Sequence, residues 1–95
     1  MTEAQLQRRI VEALRKQGAY VIKVIAAGHT GVPDLICCYH GRFIAIEVKL
    51  PGKPLEPKQK YEMGAIEMGA GGRVGVARSV ADALTILGEQ PQPYL

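Results

Sequence analysis

The chain has 95 residues, with 12 basic and 9 acidic side chains and a formal net charge of +3. That length holds one domain, 1–95, with a small core that gains from a partner surface. The charge is a mild bias toward polyanions, and the absence of any acidic or basic block argues against a charged tail.

Thr2 is placed to cap a first helix, with Gln5 three residues later as its reciprocal partner. The helix runs to about Gln17 and stops at Gly18. Leu6, Ile10, Ala13 and Leu14 form its inward stripe. Residues 20–26 read as a strand rich in β-branched side chains, and AGHTGVP as a loop. A second strand at 35–39, the short turn His40-Gly41 and a third strand at 43–49 make a hairpin. Cys37 and Cys38 are neighbours on a strand, so they point to opposite faces and do not bridge. No Cys-x-x-Cys spacing occurs, which argues against structural zinc.

The segment LPGKPLEP is broken by three prolines and cannot be regular. A second helix is predicted over 58–68, ended by GAGG. A fourth strand follows at 73–77. Ser79 then caps a last helix over 80–87, with Asp82 in its first turn. The tail 88–95 reads as irregular. The order is α-β-β-β-α-β-α, and the economical solution is an α/β fold with a mixed four-stranded sheet flanked by helices. There is no positive stretch followed by a long apolar run, and no run of ~20 apolar residues, so a cytoplasmic, reducing habitat without membrane contact is expected.

Asp34, Glu47 and Lys49 carry the chemical signal. Residues two apart on a strand face the same way, so Glu47 and Lys49 project together beside Asp34 at the start of the neighbouring strand. Pro33 fixes the backbone before Asp34, and Gly31 permits an unusual turn. Asp34 and Glu47 can each give one oxygen to Mg²⁺, with the Val48 backbone carbonyl as a third ligand. Lys49 is then set to position water and stabilise charge on a phosphate. Glu3 lies near the apolar line of the first helix, with Gln7 one turn beyond toward the same cleft. Gln59 aligns with Met63 and Ile66 and can orient water or bind phosphate. Lys53, Lys58 and Lys60 form a cationic patch for a DNA backbone, and His29 in the preceding loop can contact phosphate. Tyr61, Ala65 and Met68 make a second apolar stripe, either more core or a dimer face. Purely structural readings stand beside these: Asp34 as a turn-former, Glu47 and Lys49 as solvated strand-end charges, Glu3 as a complement to the helix dipole, Gln59 as a surface residue and His29 as an exposed one.

Taken together, GVPDL, IAIEVK and KQK resemble the VRR-NUC family of the PD-(D/E)xK nuclease superfamily, over about 2–87. The resemblance implies a restriction-endonuclease-like core. It implies that Asp34 and Glu47 are the metal-binding acids, Lys49 the catalytic lysine, Glu3 the first-helix acid and Gln59 the glutamine of the next helix. It further implies cleavage of DNA phosphodiesters with Mg²⁺ or Mn²⁺, in a stand-alone virus- or bacteriophage-type member. Small members of this kind resemble homodimeric relatives of Holliday-junction resolvases, so branched DNA such as a four-way junction is the expected substrate. Two alternatives stay open: a non-catalytic DNA-binding subunit, and a flap or nicking nuclease guided by a replication or recombination protein.

Overall fold

The first helix begins as its capping sequence dictates. In the computed structural model, which describes residues 1–88, the Thr2 amide donates to Gln5 Oε1 at 2.7 Å and the Gln5 amide donates to Thr2 Oγ1 at 3.1 Å. Helix α1 then spans Glu3–Lys16, burying Leu6, Ile10 and Leu14, and Gly18 ends it in the left-handed region at φ 94°. Ala13 is only partly covered.

Four strands follow the predicted order: β1 Tyr20–Lys23, β2 Leu35–Tyr39, β3 Arg42–Val48 and β4 Arg73–Ala77. They lie in the order β1-β2-β3-β4, with β1–β2 and β2–β3 antiparallel and β3–β4 parallel, so the sheet is mixed. His40 and Gly41 both have positive φ, 50° and 78°, as a two-residue type I′ hairpin requires. β1 is three residues shorter than the sequence suggests. Val24 still donates its amide to the Asp34 carbonyl at 2.8 Å, but the next residue on the partner is Pro33, which has no amide to continue the ladder. β3 takes in Arg42 and releases Lys49, a shift of one residue.

Helix α2 spans Pro57–Gly64, with Pro57 at its first turn, and passes into a π-helical turn at Ala65–Gly69. The predicted helix 58–68 is therefore two segments of different pitch. Helix α3 spans Val80–Gly88, capped by Ser79 Oγ accepting from the Asp82 amide at 3.0 Å. It takes in Gly88, and the rest of the expected irregular tail lies outside the described residues.

The register assigns the two faces of the sheet. Val21, Cys37 and Ile44 are opposite one another, as are Leu35, Ile46 and Gly75, and Val48 and Ala77. Together with Leu6, Ile10 and Leu14 of α1 and Ala83 and Leu87 of α3, these form the buried core. Gly75 lets α3 lie flat on β4, because a Cβ there would stand 2.7 Å from Ile86 Cγ1. The other face carries Ala45, Glu47, Val74 and Val76, with α2 and the π turn over the β3–β4 half. No helix among the described residues is long and apolar enough to cross a membrane.

Candidate active site

The alternation of β3 separates stability from chemistry. Ile44, Ile46 and Val48 point into the core, and Ala45 and Glu47 point to the α2 side. Asp34 is fixed by the elements on either side of it. Its carbonyl accepts from Val24, and its Oδ2 accepts from the Val48 amide at 2.8 Å. Pro33 before it is fully buried. Asp34 is thus held at the mouth of the sheet, between β1 and β3, and is more than a turn-former.

Glu47 is buried, with 4% of its surface exposed. Its Oε2 accepts from Gln59 Nε2 at 3.0 Å, and its Oε1 has no hydrogen-bond partner. Burial pushes its carboxyl up to about 8, and the neighbouring Asp34 and the charge of Glu3 act in the same direction; only the charge of Lys49 opposes them. Two carboxylates in contact, one with an orphaned buried oxygen, form a site whose charge calls for a cation. The donors are all hard oxygens, which fits Mg²⁺ or Mn²⁺ and not a thiolate-selecting metal. Among the described residues no group of three or more His, Cys, Asp or Glu side chains has metal-ligand spacing. Glu3 therefore stands beside the Asp34–Glu47 pair, close enough to raise Glu47 by its charge but not part of a three-acid cluster.

Gln59 does two tasks with one amide. Its Oε1 accepts from the Glu56 amide at 2.9 Å, closing the start of α2, and its Nε2 holds Glu47. The nearby loop is fitted to the same helix turn. Gly31 has φ 87°, and a Cβ there would stand 2.8 Å from the Lys58 carbonyl oxygen. His29 Nε2 meets Glu62 Oε1 at 2.9 Å, with the His29 side chain 61% exposed. Lys53, Lys58 and Lys60 are exposed on the loop and first turn that follow β3. Arg78 Nη1 donates to the carbonyls of Leu50 and Lys53, at 2.9 and 2.7 Å, and so fastens that loop to the end of β4. Tyr61, Ala65 and Met68 are exposed, which removes them from the core.

Sequence reasoning missed three features. The Arg78 clamp and the Glu62 partner of His29 join residues distant in the chain and leave no local signal. The link from Gln59 to the α2 cap was legible, since Glu56 and Gln59 have capping-box spacing just after a proline-broken loop.

The family model of the VRR-NUC domain matches residues 1–81. "Putative nuclease p44" of Acyrthosiphon pisum secondary endosymbiont phage 1 is 34% identical over 61 residues, which are 63% of this chain and 66% of that protein. A solved VRR_NUC domain is 25% identical and superposes with a TM-score of 0.76, covering 92% of this chain and 95% of its own. Archaeoglobus fulgidus Hjc, a Holliday junction resolvase from an archaeal hyperthermophile, is also 25% identical, with a TM-score of 0.62 over 78% of this chain and 65% of its own. The chain thus spans just under two thirds of the length of the phage protein and of the resolvase.

Proposed function

The chain belongs to the VRR-NUC domain family of nucleases, and from that premise we propose that it is a Mg²⁺- or Mn²⁺-dependent DNA endonuclease acting on branched DNA, above all on four-way junctions. The observation that carries this reading is the buried, unpartnered Glu47 Oε1 against Asp34. Asp34 and Glu47 would each supply a carboxylate oxygen to the ion and Val48 its backbone carbonyl, and Glu3 would support that shell directly or through water. When bound, the ion lowers the pKa of the attacking water and polarises the phosphate. Lys49 orients that water and offsets the charge that grows on the phosphate. Gln59 keeps the Glu47 carboxylate in one orientation, as hydrogen bonds behind a metal ligand commonly do. Lys53, Lys58 and Lys60 hold the backbone of the substrate without reading sequence. His29 adds a phosphate contact once it leaves Glu62.

A domain of this size gains from a second copy, and a two-fold pair presents two active sites for paired cuts. The exposed Tyr61, Ala65 and Met68, with the uncovered β1–β2 half of the sheet, are the surfaces for a homodimer. The protein acts in the cytoplasm, within the host cell if it is viral.

The test is a cleavage panel of four-way junction, flap, single strand and plain duplex, with Mg²⁺, Mn²⁺ or chelator. Symmetric nicks across the junction, lost on chelation and in Asp34→Ala, are the expected result. Binding without cleavage in either metal would replace this reading with a DNA-binding subunit. Light scattering checks the dimer.

A further inference from the structure

A groove of about 330 Å³ runs between α1 and β1, outside the carboxylate pair, and is lined by Gln7, Arg8, Glu12, Arg15 and Lys23 among others. Three cations face it against one acid. Arg15 Nη2 donates to the Val21 carbonyl at 3.0 Å, which holds the guanidinium in place and leaves its other N–H groups available. Among the described residues neither Arg8 nor Lys23 has an ion-pair partner. Gln7 is 8% exposed, and its Oε1 has no hydrogen-bond partner. An unpaired buried amide oxygen is destabilising, so a polar group with no task here is unfavourable. Beside that closed-off oxygen the amide carries two N–H donors, and Gln7 lines the groove, so it can offer a donor to an anion there.

The groove lies next to residues of the site. Gln7 is one helical turn beyond Glu3, and Lys23 is paired with Leu35, the residue after Asp34. Arg8 and Arg15 are seven residues apart on α1, about 10 Å along its axis at 1.5 Å per residue. One DNA strand advances 3.4 Å per nucleotide, so the two arginines span about three nucleotides. An elongated row of separated cations suits a strand of nucleic acid better than a single small anion.

We propose that the α1–β1 groove is a second phosphate-binding subsite, in which Arg8, Arg15 and Lys23 contact backbone phosphates spaced along about three nucleotides of the strand leading away from the carboxylates and the Gln7 amide anchors one of them. This rests on the nuclease reading but adds a track that the loop and α2 lysines do not provide. Its contribution is independent of sequence and falls with salt.

The test measures binding of a labelled four-way junction and a labelled single strand in chelator, across a salt series, with cleavage kinetics in Mg²⁺ alongside. The double variant Arg8→Ala/Lys23→Ala is expected to bind about tenfold or more weakly near 0.15 M salt. Its log–log salt slope should be shallower by about 1.4–1.8, from two lost phosphate contacts at about 0.7–0.9 each. KM rises while kcat changes little. Arg9→Ala removes a cation from the same helix as Arg8, but Arg9 lines a different cavity, with Leu50 and Val80, and this variant is expected to match the parent. Gln7→Leu removes the orphaned amide, so it should raise the melting temperature and still weaken DNA binding, a pairing that a structural role alone does not produce. A double variant that binds like the parent and Arg9→Ala overturns the groove and leaves the metal-site reading standing, since Asp34→Ala tests that by cleavage. A folded parent that binds neither DNA overturns both.

Discussion

The two faces of the sheet are built from the same strands and serve opposite ends. Toward α1 and α3, Val21, Leu35, Cys37, Ile44, Ile46, Val48 and Ala77 are all buried. On the other face Ala45 and Glu47 are buried and the β4 valines half-buried beside the π turn, while Tyr20 and Phe43 remain 67% and 47% exposed. The first face is apolar and, apart from Gln7 at the α1–β1 groove, free of buried unpartnered polar side chains among the described residues. The second joins two carboxylates that repel each other to an open apolar surface. A domain this small keeps its chemistry by concentrating stability on one side of one strand, so that the other side can hold an unfavourable charge.

Substitution on each side of β3 is the sharpest way to break that contrast. Ile46→Ala empties core volume and is expected to cost about 2–5 kcal/mol, a large share of the stability of a small domain. Chemical denaturation measures it, and cleavage should be lost through unfolding. Asp34→Asn should lower cleavage by about a thousandfold or more, from the several kcal/mol a metal ion supplies, with a melting temperature equal to or above that of the parent. A folded Asp34→Asn protein that cuts at the parent rate removes Asp34 from the site.

Acidity provides the second contrast. Glu47 is raised from 4.5 to about 8, chiefly by burial, so the metal-free fold holds this proton more tightly than the unfolded chain. The stability it contributes is fully present below pH 4.5 and is lost as the pH rises through about 8. Glu47→Gln stays neutral throughout. At pH 9, in chelator, it should melt roughly 5 °C or more above the parent, because about 1 kcal/mol moves a domain of this size by roughly 4–8 °C. Binding of Mg²⁺ by the parent must displace the same proton. Its affinity should rise about tenfold per pH unit from 6 to about 8 and then level. Calorimetry in buffers of different ionisation enthalpy reads the released proton, and an affinity independent of pH in that window would take Glu47 out of the ligand set.

Smaller effects probe the supports of the open face. Gln59→Ala should reduce metal affinity about 10- to 100-fold and cost about 1 kcal/mol through the weakened start of α2. Rescue by Gln59→Asn is not expected, because the shorter amide does not span Glu56 and Glu47 together. Tyr20→Ser on the uncovered β1–β2 half should leave monomer stability within about 0.5 kcal/mol, as expected of a surface change, and weaken the proposed homodimer in light scattering.

Much of this protein was legible in the chain. The Thr2–Gln5 box, the His40-Gly41 turn, the alternation of β3 and the cap at Ser79 act over a few residues, so their consequences are local and readable. The element order and the family followed from them and from GVPDL, IAIEVK and KQK. What lies across the sheet was settled only by the fold. That β1 ends where Pro33 removes a donor, that α2 relaxes into a π turn, and that Tyr61, Ala65 and Met68 face outward all depend on neighbours distant in sequence. The same holds for the site. The sequence supplied Asp34, Glu47 and Lys49 as candidates and the side of β3 that Glu47 takes. The tertiary structure decided that Glu47 is buried beside Asp34 with one oxygen unpartnered, that Gln59 secures it, and that Glu3 stands beside the pair without completing a three-acid cluster. A side chain's type is fixed by the gene, whereas its desolvation and its nearest charges are fixed by what packs against it.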